Sequence, residues 1–154
     1  MNRSLTVYTD GACSGNPGRA SIGVVILENG QVIKEISKAI GNATNNIAEY
    51  TALICALEAC SALKAGEVHV FTDSELLYKQ MIGQYKVRDE GIRSLSDQVR
   101  RLISRVGRVE IQHIPREKNK EADRLAKKAL KDEQAKMVAS TSNDGGEESP
   151  SSKG

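Results

Sequence analysis

Residues 5–18 read Leu5-Thr6-Val7-Tyr8-Thr9-Asp10-Gly11-Ala12-Cys13-Ser14-Gly15-Asn16-Pro17-Gly18. Leu5, Val7 and Thr9 alternate with Thr6, Tyr8 and Asp10, the two-residue period of a strand with one buried face. The strand enters a stretch rich in Gly, Asn and Pro, and Gly11 to Gly18 is therefore predicted as a loop. An acid at the end of an apolar strand is poorly placed for solvation, so Asp10 needs a reason beyond the fold.

Working outward, Ile22–Leu27 and Val32–Ile40 flank Asn29-Gly30. That dipeptide favours a type I′ turn, because both central residues need positive φ, and it predicts a hairpin. From Ile47 to about Leu63 the chain is rich in Ala and Leu. Ile47, Tyr50, Leu53, Ile54, Leu57 and Cys60 recur there at helical spacing. Val68–Thr72 is a short run of β-formers, and Asp73-Ser74 after it can cap a following helix. Ile92, Leu95, Val99, Leu102, Ile103 and Val106 predict an amphipathic helix whose other face carries Arg93, Arg100, Arg101 and Arg105. Val109–Ile114 is the last strand. Asn119 can cap a final helix buried through Ala122, Leu125, Ala126, Ala129 and Leu130. The order is three strands, helix, strand, one or more helices, strand, helix.

Composition sets limits on the class. The chain has 154 residues, 39% hydrophobic but only 3% aromatic with no Trp, so an aliphatic core of one domain is expected. Cys13, Cys55 and Cys60 form an odd set without zinc-like spacing, and no leader pattern precedes Leu5, which predicts a reducing, cytoplasmic location. No apolar run approaches the ~20 residues that span a bilayer. Residues 64–136 carry 17 basic against 12 acidic side chains, a balance that suits a polyanionic partner or a solvated face. After Lys136 the chain has almost no apolar residue, so the domain is placed at 1–136 and a disordered polar tail at 137–154.

Four acids carry the chemistry. Asp10 ends the first strand, Glu49 opens the Ala-rich helix, Asp73 ends the fourth strand, and Asp123 lies early in the last helix. Strand ends and helix starts converge at one edge of such sheets, so the four can share a small volume. Clustered carboxylates repel, and hard divalent cations with oxygen ligands, magnesium or manganese, remove that penalty. Singly, each acid has a plainer explanation: Asp73 as a helix cap, Glu49 as a helix N-terminal residue, Asp123 on a wet face. Four acids on four elements make the plain explanation unlikely. Phosphodiester cleavage is the reaction that two such ions help most.

At this point the motifs carry a resemblance. Tyr8–Gly18, Thr44-Asn45-Asn46-Ile47-Ala48-Glu49, Thr72-Asp73-Ser74 and Asn119-Lys120-Glu121-Ala122-Asp123-Arg124-Leu125-Ala126 resemble, in order, the four motifs of the ribonuclease HI family. The match runs from about Leu5 to Leu130. The resemblance implies an α/β, ribonuclease H-like fold: a five-stranded mixed sheet, its first three strands antiparallel, with helices on both faces. It implies Asp10, Glu49, Asp73 and Asp123 as catalytic ligands for two Mg2+ ions, with Mn2+ able to substitute. The implied reaction hydrolyses the RNA strand of an RNA/DNA hybrid, largely without regard to sequence, and leaves 3′-hydroxyl and 5′-phosphate ends. Gly11, Asn16, Thr44, Asn45, Asn46, Ser74 and Glu75 are the implied nucleic-acid contacts, Thr44 with Asn16 on a phosphate of the DNA strand. A Gly-rich loop at 11–18 would expose backbone N–H groups to phosphates. Tyr85 is either a sugar contact of the DNA strand or a packed tyrosine. A monomer bound to no membrane is expected.

Two departures from the family stand out. No room exists between Met81 and Ile92 for the basic handle helix of some members, leaving Lys79, Lys86, Arg88 and the arginines of the next helix as substitutes. The histidine that many members carry in a loop before the last aspartate is absent from Ile114-Pro115-Arg116-Glu117-Lys118. Arg116, toward the scissile phosphate, and Glu117, in metal release, are the auxiliary candidates. His69 and His113 read as packed strand residues. Two other classes remain open: a related metal-dependent nuclease of resolvase, integrase or transposase type, and a non-catalytic hybrid-binding module.

Overall fold

The computed structural model describes residues 3–147. Its elements are β1 (Arg3–Gly15), β2 (Gly18–Glu28), β3 (Gln31–Ala43), α1 (Asn45–Ala62), β4 (Ala65–Thr72), α2 (Glu75–Met81), α3 (Glu90–Val106), β5 (Arg108–His113), a 3-10 turn at Arg116–Lys118, and α4 (Lys120–Glu147). The strands form one sheet in the order β3-β2-β1-β4-β5. The β1–β2 and β2–β3 pairs are antiparallel, and the β1–β4 and β4–β5 pairs are parallel. No helix among the described residues is long and apolar enough to cross a membrane.

Helices cover both faces, and β2 shows why. Every residue from Ala20 to Ile26 except Gly23, which has no side chain, is a buried side chain, so neither face of the strand meets water. Ile22, Val24 and Ile26 join the main core with Tyr50, Leu53 and Leu57 of α1. Across the sheet, the Ser21 hydroxyl donates to the Ala126 carbonyl and Ser37 Oγ donates to the Leu125 carbonyl at 2.6 Å, which ties α4 to the opposite face. The contact is closest at Gly23, where a β-carbon would lie 2.1 Å from the Ala122 carbonyl oxygen. α3 stacks outside α1, and Tyr50 Oη donates to buried Gln80 Oε1 at 2.9 Å to join α1 to α2.

Local signals act largely as their chemistry dictates. Asn29 and Gly30 turn the β2–β3 hairpin at φ 53° and 79°. Thr44, Ser74 and Asp89 cap α1, α2 and α3 by accepting the N–H groups of Ile47, Leu77 and Ile92. Three expectations need correction. Gly11–Gly15 is strand, paired with Gly18–Ile22, because the Gly, Ala and Ser side chains offer nothing that opposes the ladder; only the four residues 15–18 turn. His113 is exposed, its ring centroid 6.0 Å from that of Tyr78 in α2, since it ends the edge strand β5, past the core-packed Val109 and Ile111 on the same face. His69 is half-buried between Glu67 at 2.8 Å and Glu110 at 3.4 Å.

The polar tail expected from Met137 begins inside α4, which continues to Glu147. Among the described side chains of that helix Ala129 is the last buried one, and Met137 and Val138 are 38% and 67% exposed, so the first residues of the expected tail take no part in core packing. Residues 148–154 lie outside the described residues.

Because the Ala122 carbonyl cannot move without α4, Gly23→Ala is expected to cost about 1–3 kcal/mol of stability. Denaturant unfolding checks this, and a wild-type midpoint would contradict the close packing.

Candidate active site

The parallel pairing of β1 with β4 ends at Thr9 opposite Thr72. Asp10 and Asp73 are the next residues on each strand, so the separation of two parallel strands sets their carboxylates side by side at the carboxyl edge, where open α/β sheets form their crevices. α1 delivers the third acid. At Gly11 a β-carbon would lie 2.7 Å from the Ala48 backbone and 2.8 Å from the Glu49 nitrogen, so only glycine lets the helix come this close. Oxygen atoms of Asp10, Glu49 and Asp73 thereby lie within 4.8 Å of one another.

Unit charges at that separation repel by about 3 kcal/mol per pair at an effective dielectric of about 20. Three such pairs rival the whole stability of a small domain, so a compensating cation would relieve a large repulsion at this site. Burial, then Asp73 and Asp123, pushes the Asp10 carboxyl up to about 8. Burial, then Asp10 and Asp73, drives Glu49 well above its usual range, against weaker opposition from the Gly11 N–H and Arg116. Glu49 Oε1 is buried without a hydrogen-bond partner. Three convergent oxygen donors, one of them orphaned, are the donor set of a hard divalent cation, and the residues fit such an ion.

Asp123 stands slightly apart. It approaches Asp10 closely enough to raise that group's pKa, yet it lies outside the tight trio, its Oδ2 3.1 Å from Lys127 Nζ. Asn119, read from sequence as a cap, does not cap α4 through its side chain, because its buried Oδ1 accepts no hydrogen bond. Its side chain is buried, and its Nδ2 donates to the Thr9 carbonyl at 2.8 Å and to Asp73 Oδ2 at 2.9 Å. One amide thus joins the ends of β1 and β4 to the start of α4. In the sequence Asn119 stands first in the fourth motif, four positions before Asp123, and nothing in that spacing points to its partners on β1 and after β4.

A cleft of about 520 Å3 opens beside the trio, lined by Gly11, Asn16, Thr44, Asn45, Asn46, Glu49, Asp73, Ser74, Leu76 and Arg116. Asn16 Oδ1 accepts the Asn45 N–H at 3.0 Å, which fixes the β1–β2 turn to α1 and leaves the amide's donors free. Glu75 and Tyr85 are exposed and do not line the cleft; Lys79 joins them, 2.9 Å from Glu75 and 5.1 Å from the Tyr85 ring centroid. At 48% exposure Tyr85 is not a packed core tyrosine. Arg116 faces the acids, but Glu117 lines a separate, mostly apolar recess with Tyr8, Val25 and Val32. Successive side chains of a 3-10 turn point about a third of a turn apart, which sends these neighbours to different recesses and leaves Glu117 off the lining of the acid cleft.

A family model described as reverse transcriptase-like matches residues 8–129. The chain is 40% identical over 126 residues to the ribonuclease HI of Halobacterium salinarum, and 39% identical over 128 residues to a bifunctional protein of Mycobacterium tuberculosis. These alignments cover 81% and 82% of the chain but 63% and 35% of the relatives, so the chain spans less than two thirds of either. Among solved structures, the Halobacterium salinarum ribonuclease H1 superposes with a TM-score of 0.82 at 39% identity, covering 84% of this chain and 98% of that one. The LC11 ribonuclease H1, in complex with an RNA/DNA hybrid, gives 0.81 at 41%, covering 84% and 99%.

Two outcomes follow from this geometry. The raised Asp10 pKa means that the folded protein binds more protons than the unfolded chain between pH 3.8 and about 8. The stability from that protonation is complete below the lower value and is lost as pH rises to the upper one. Metal-free Asp10→Asn should therefore melt several degrees above wild type at pH 8 and depend less on pH, as calorimetry would read. Asn119→Ala should raise the metal concentration at half-maximal thermal stabilisation by about 10–100-fold, the usual effect of losing a partner of a ligand. An unchanged midpoint would remove Asn119 from the site.

Proposed function

The chain belongs to the ribonuclease HI family, and on that premise we propose that it is an endonuclease that hydrolyses the RNA strand of RNA/DNA hybrids with the help of two divalent metal ions. The observation that carries this reading is the convergence of Asp10, Glu49 and Asp73 within 4.8 Å at the wall of an open polar cleft. We place the catalytic unit in residues 1–136.

Asp10, Glu49 and Asp73 would hold the ions, and Asp123 would complete the set. Mg2+ is the favoured ion for an all-oxygen site, with Mn2+ as substitute. When bound, the ions supply an acidified water as nucleophile and stabilise the leaving 3′ oxygen, so that 3′-hydroxyl and 5′-phosphate ends result.

The chain's own residues supply position and selectivity. Asn16, Thr44 and Asn45 offer neutral donors suited to phosphate, which hold a duplex without reading its bases. The Thr44 oxygen accepts the Ile47 N–H, so its O–H points outward as a donor. Asn46 Oδ1 is buried without a partner at the wall of the cleft, so a turn of its amide would offer an acceptor to a ribose 2′-hydroxyl, the group that separates RNA from DNA. Arg116 lines the same cleft as the acids, and its charge reaches Asp10 and Glu49, so it is placed to meet the scissile phosphate.

Matched RNA/DNA hybrid, double-stranded DNA and double-stranded RNA, each incubated with Mg2+, Mn2+ or chelator, test the reading. Metal-dependent cutting of the RNA strand of the hybrid is expected; preferential cutting of DNA would favour a resolvase- or integrase-type enzyme. Asp73→Asn should reduce cleavage to background while retaining hybrid binding, and wild-type turnover in that variant would contradict the ligand assignment.

A further inference from the structure

α4 leaves the acid cluster carrying a row of cations. Asp123, Lys127 and Lys131 are spaced by four residues and share one helical face, and Arg124 and Lys128 form the adjoining row. These five side chains line a groove of about 450 Å3. It shares no lining residue with the asparagine-lined cleft, and the acids join the two: Glu49 and Asp73 belong to one, Asp123 to the other.

We propose that this groove on α4 binds the phosphate backbone of the hybrid's cut strand where it runs on past the cut, on the side away from the asparagine cleft. The inference rests on the hybrid-cleavage reading above. A duplex held with one phosphate at the acids must continue in both directions, and neutral amides receive it on one side only. From Asp123 to Lys131 the helix rises about 12 Å, the axial reach of about three nucleotides of one strand.

The charge balance separates this groove from an ordinary wet face. The comparable recess on α3 is lined by Arg93 and Arg101 together with Glu90 and Asp97, two cations against two acids. The α4 groove holds four cations against Asp123 alone. Lys127 pairs with Asp123 at 3.1 Å and Lys128 with Asp132 at 2.9 Å, while Arg124 meets Glu121 at 3.0 Å and Glu35 at 3.9 Å. Lys131 has no acidic partner within 4.0 Å among the described residues. Exposed pairs of this kind contribute at most about 1 kcal/mol, too little to keep these cations from a phosphate.

The test measures binding of a fluorescently labelled hybrid that extends past the cut on both sides, by anisotropy in chelator, from about 50 to 200 mM salt. Lys127→Gln/Lys131→Gln removes one row, and Lys128→Gln/Lys131→Gln leaves the partner of Asp123 in place. Gln keeps the helical propensity, and circular dichroism verifies folding. Lys64→Gln/Arg108→Gln removes the same charge at the opposite end of the sheet. Both α4 variants are expected to bind severalfold more weakly, with the slope of log affinity against log salt reduced by about 1–2, while the far-end variant stays near wild type. Equal losses in the α4 and far-end variants, or none in the α4 variants, would overturn the proposal. Wild-type protein that fails to cut hybrid would instead overturn the reading beneath it.

Discussion

Repulsion among closely held carboxylates is the constraint around which the molecule is organised. Nothing in the packing of an aliphatic core requires Asp10, Glu49 and Asp73 to meet, and their proximity is costly in the absence of a cation. Three features impose it. The ladder between β1 and β4 ends just before two of the acids, Gly11 admits the helix that brings the third, and Asn119 bonds one of them to the neighbouring strand. A site that is electrostatically strained when empty is one that a divalent ion stabilises strongly, because binding relieves the strain.

The scaffold gives that strain something to work against. β2 is buried on both faces, and α4 is clamped to it by the close approach at Gly23 and by the Ser21 hydroxyl, and to β3 by the Ser37 hydroxyl. Asp123 and Asn119 sit at the start of that clamped helix, so their positions follow from helix–sheet packing in the interior of the protein. Beyond Ala129 the described side chains of the helix join no such packing, and no proposed metal ligand lies there. Rigid packing and ligand placement thus coincide in the first turns of α4.

Around the acids, chemistry is divided by surface. Neutral amide and hydroxyl groups line the cleft on the α1 side, suited to positioning a duplex. Cations follow α4 on the other side, suited to long-range attraction of a polyanion. Arg116 and Glu117, adjacent in sequence, belong to different recesses, which shows how little a motif's neighbours reveal about direction.

By itself the sequence determined the strands, the capped helices, the Asn29-Gly30 hairpin and the four acids, because these are written in local periodicity and in side-chain chemistry that acts over a few residues. The asparagine pair before Glu49 and the motif order were legible in the same way. Tertiary structure alone decided that Gly11–Gly15 continues a strand, that His113 is exposed at the end of an edge strand, and that Asn119 reaches two strand ends. It also decided that Asp123 stands off from the trio beside Lys127. These depend on partners up to 110 residues away in the chain, as for Asn119 and Thr9, and distance through space cannot be read from spacing along the sequence.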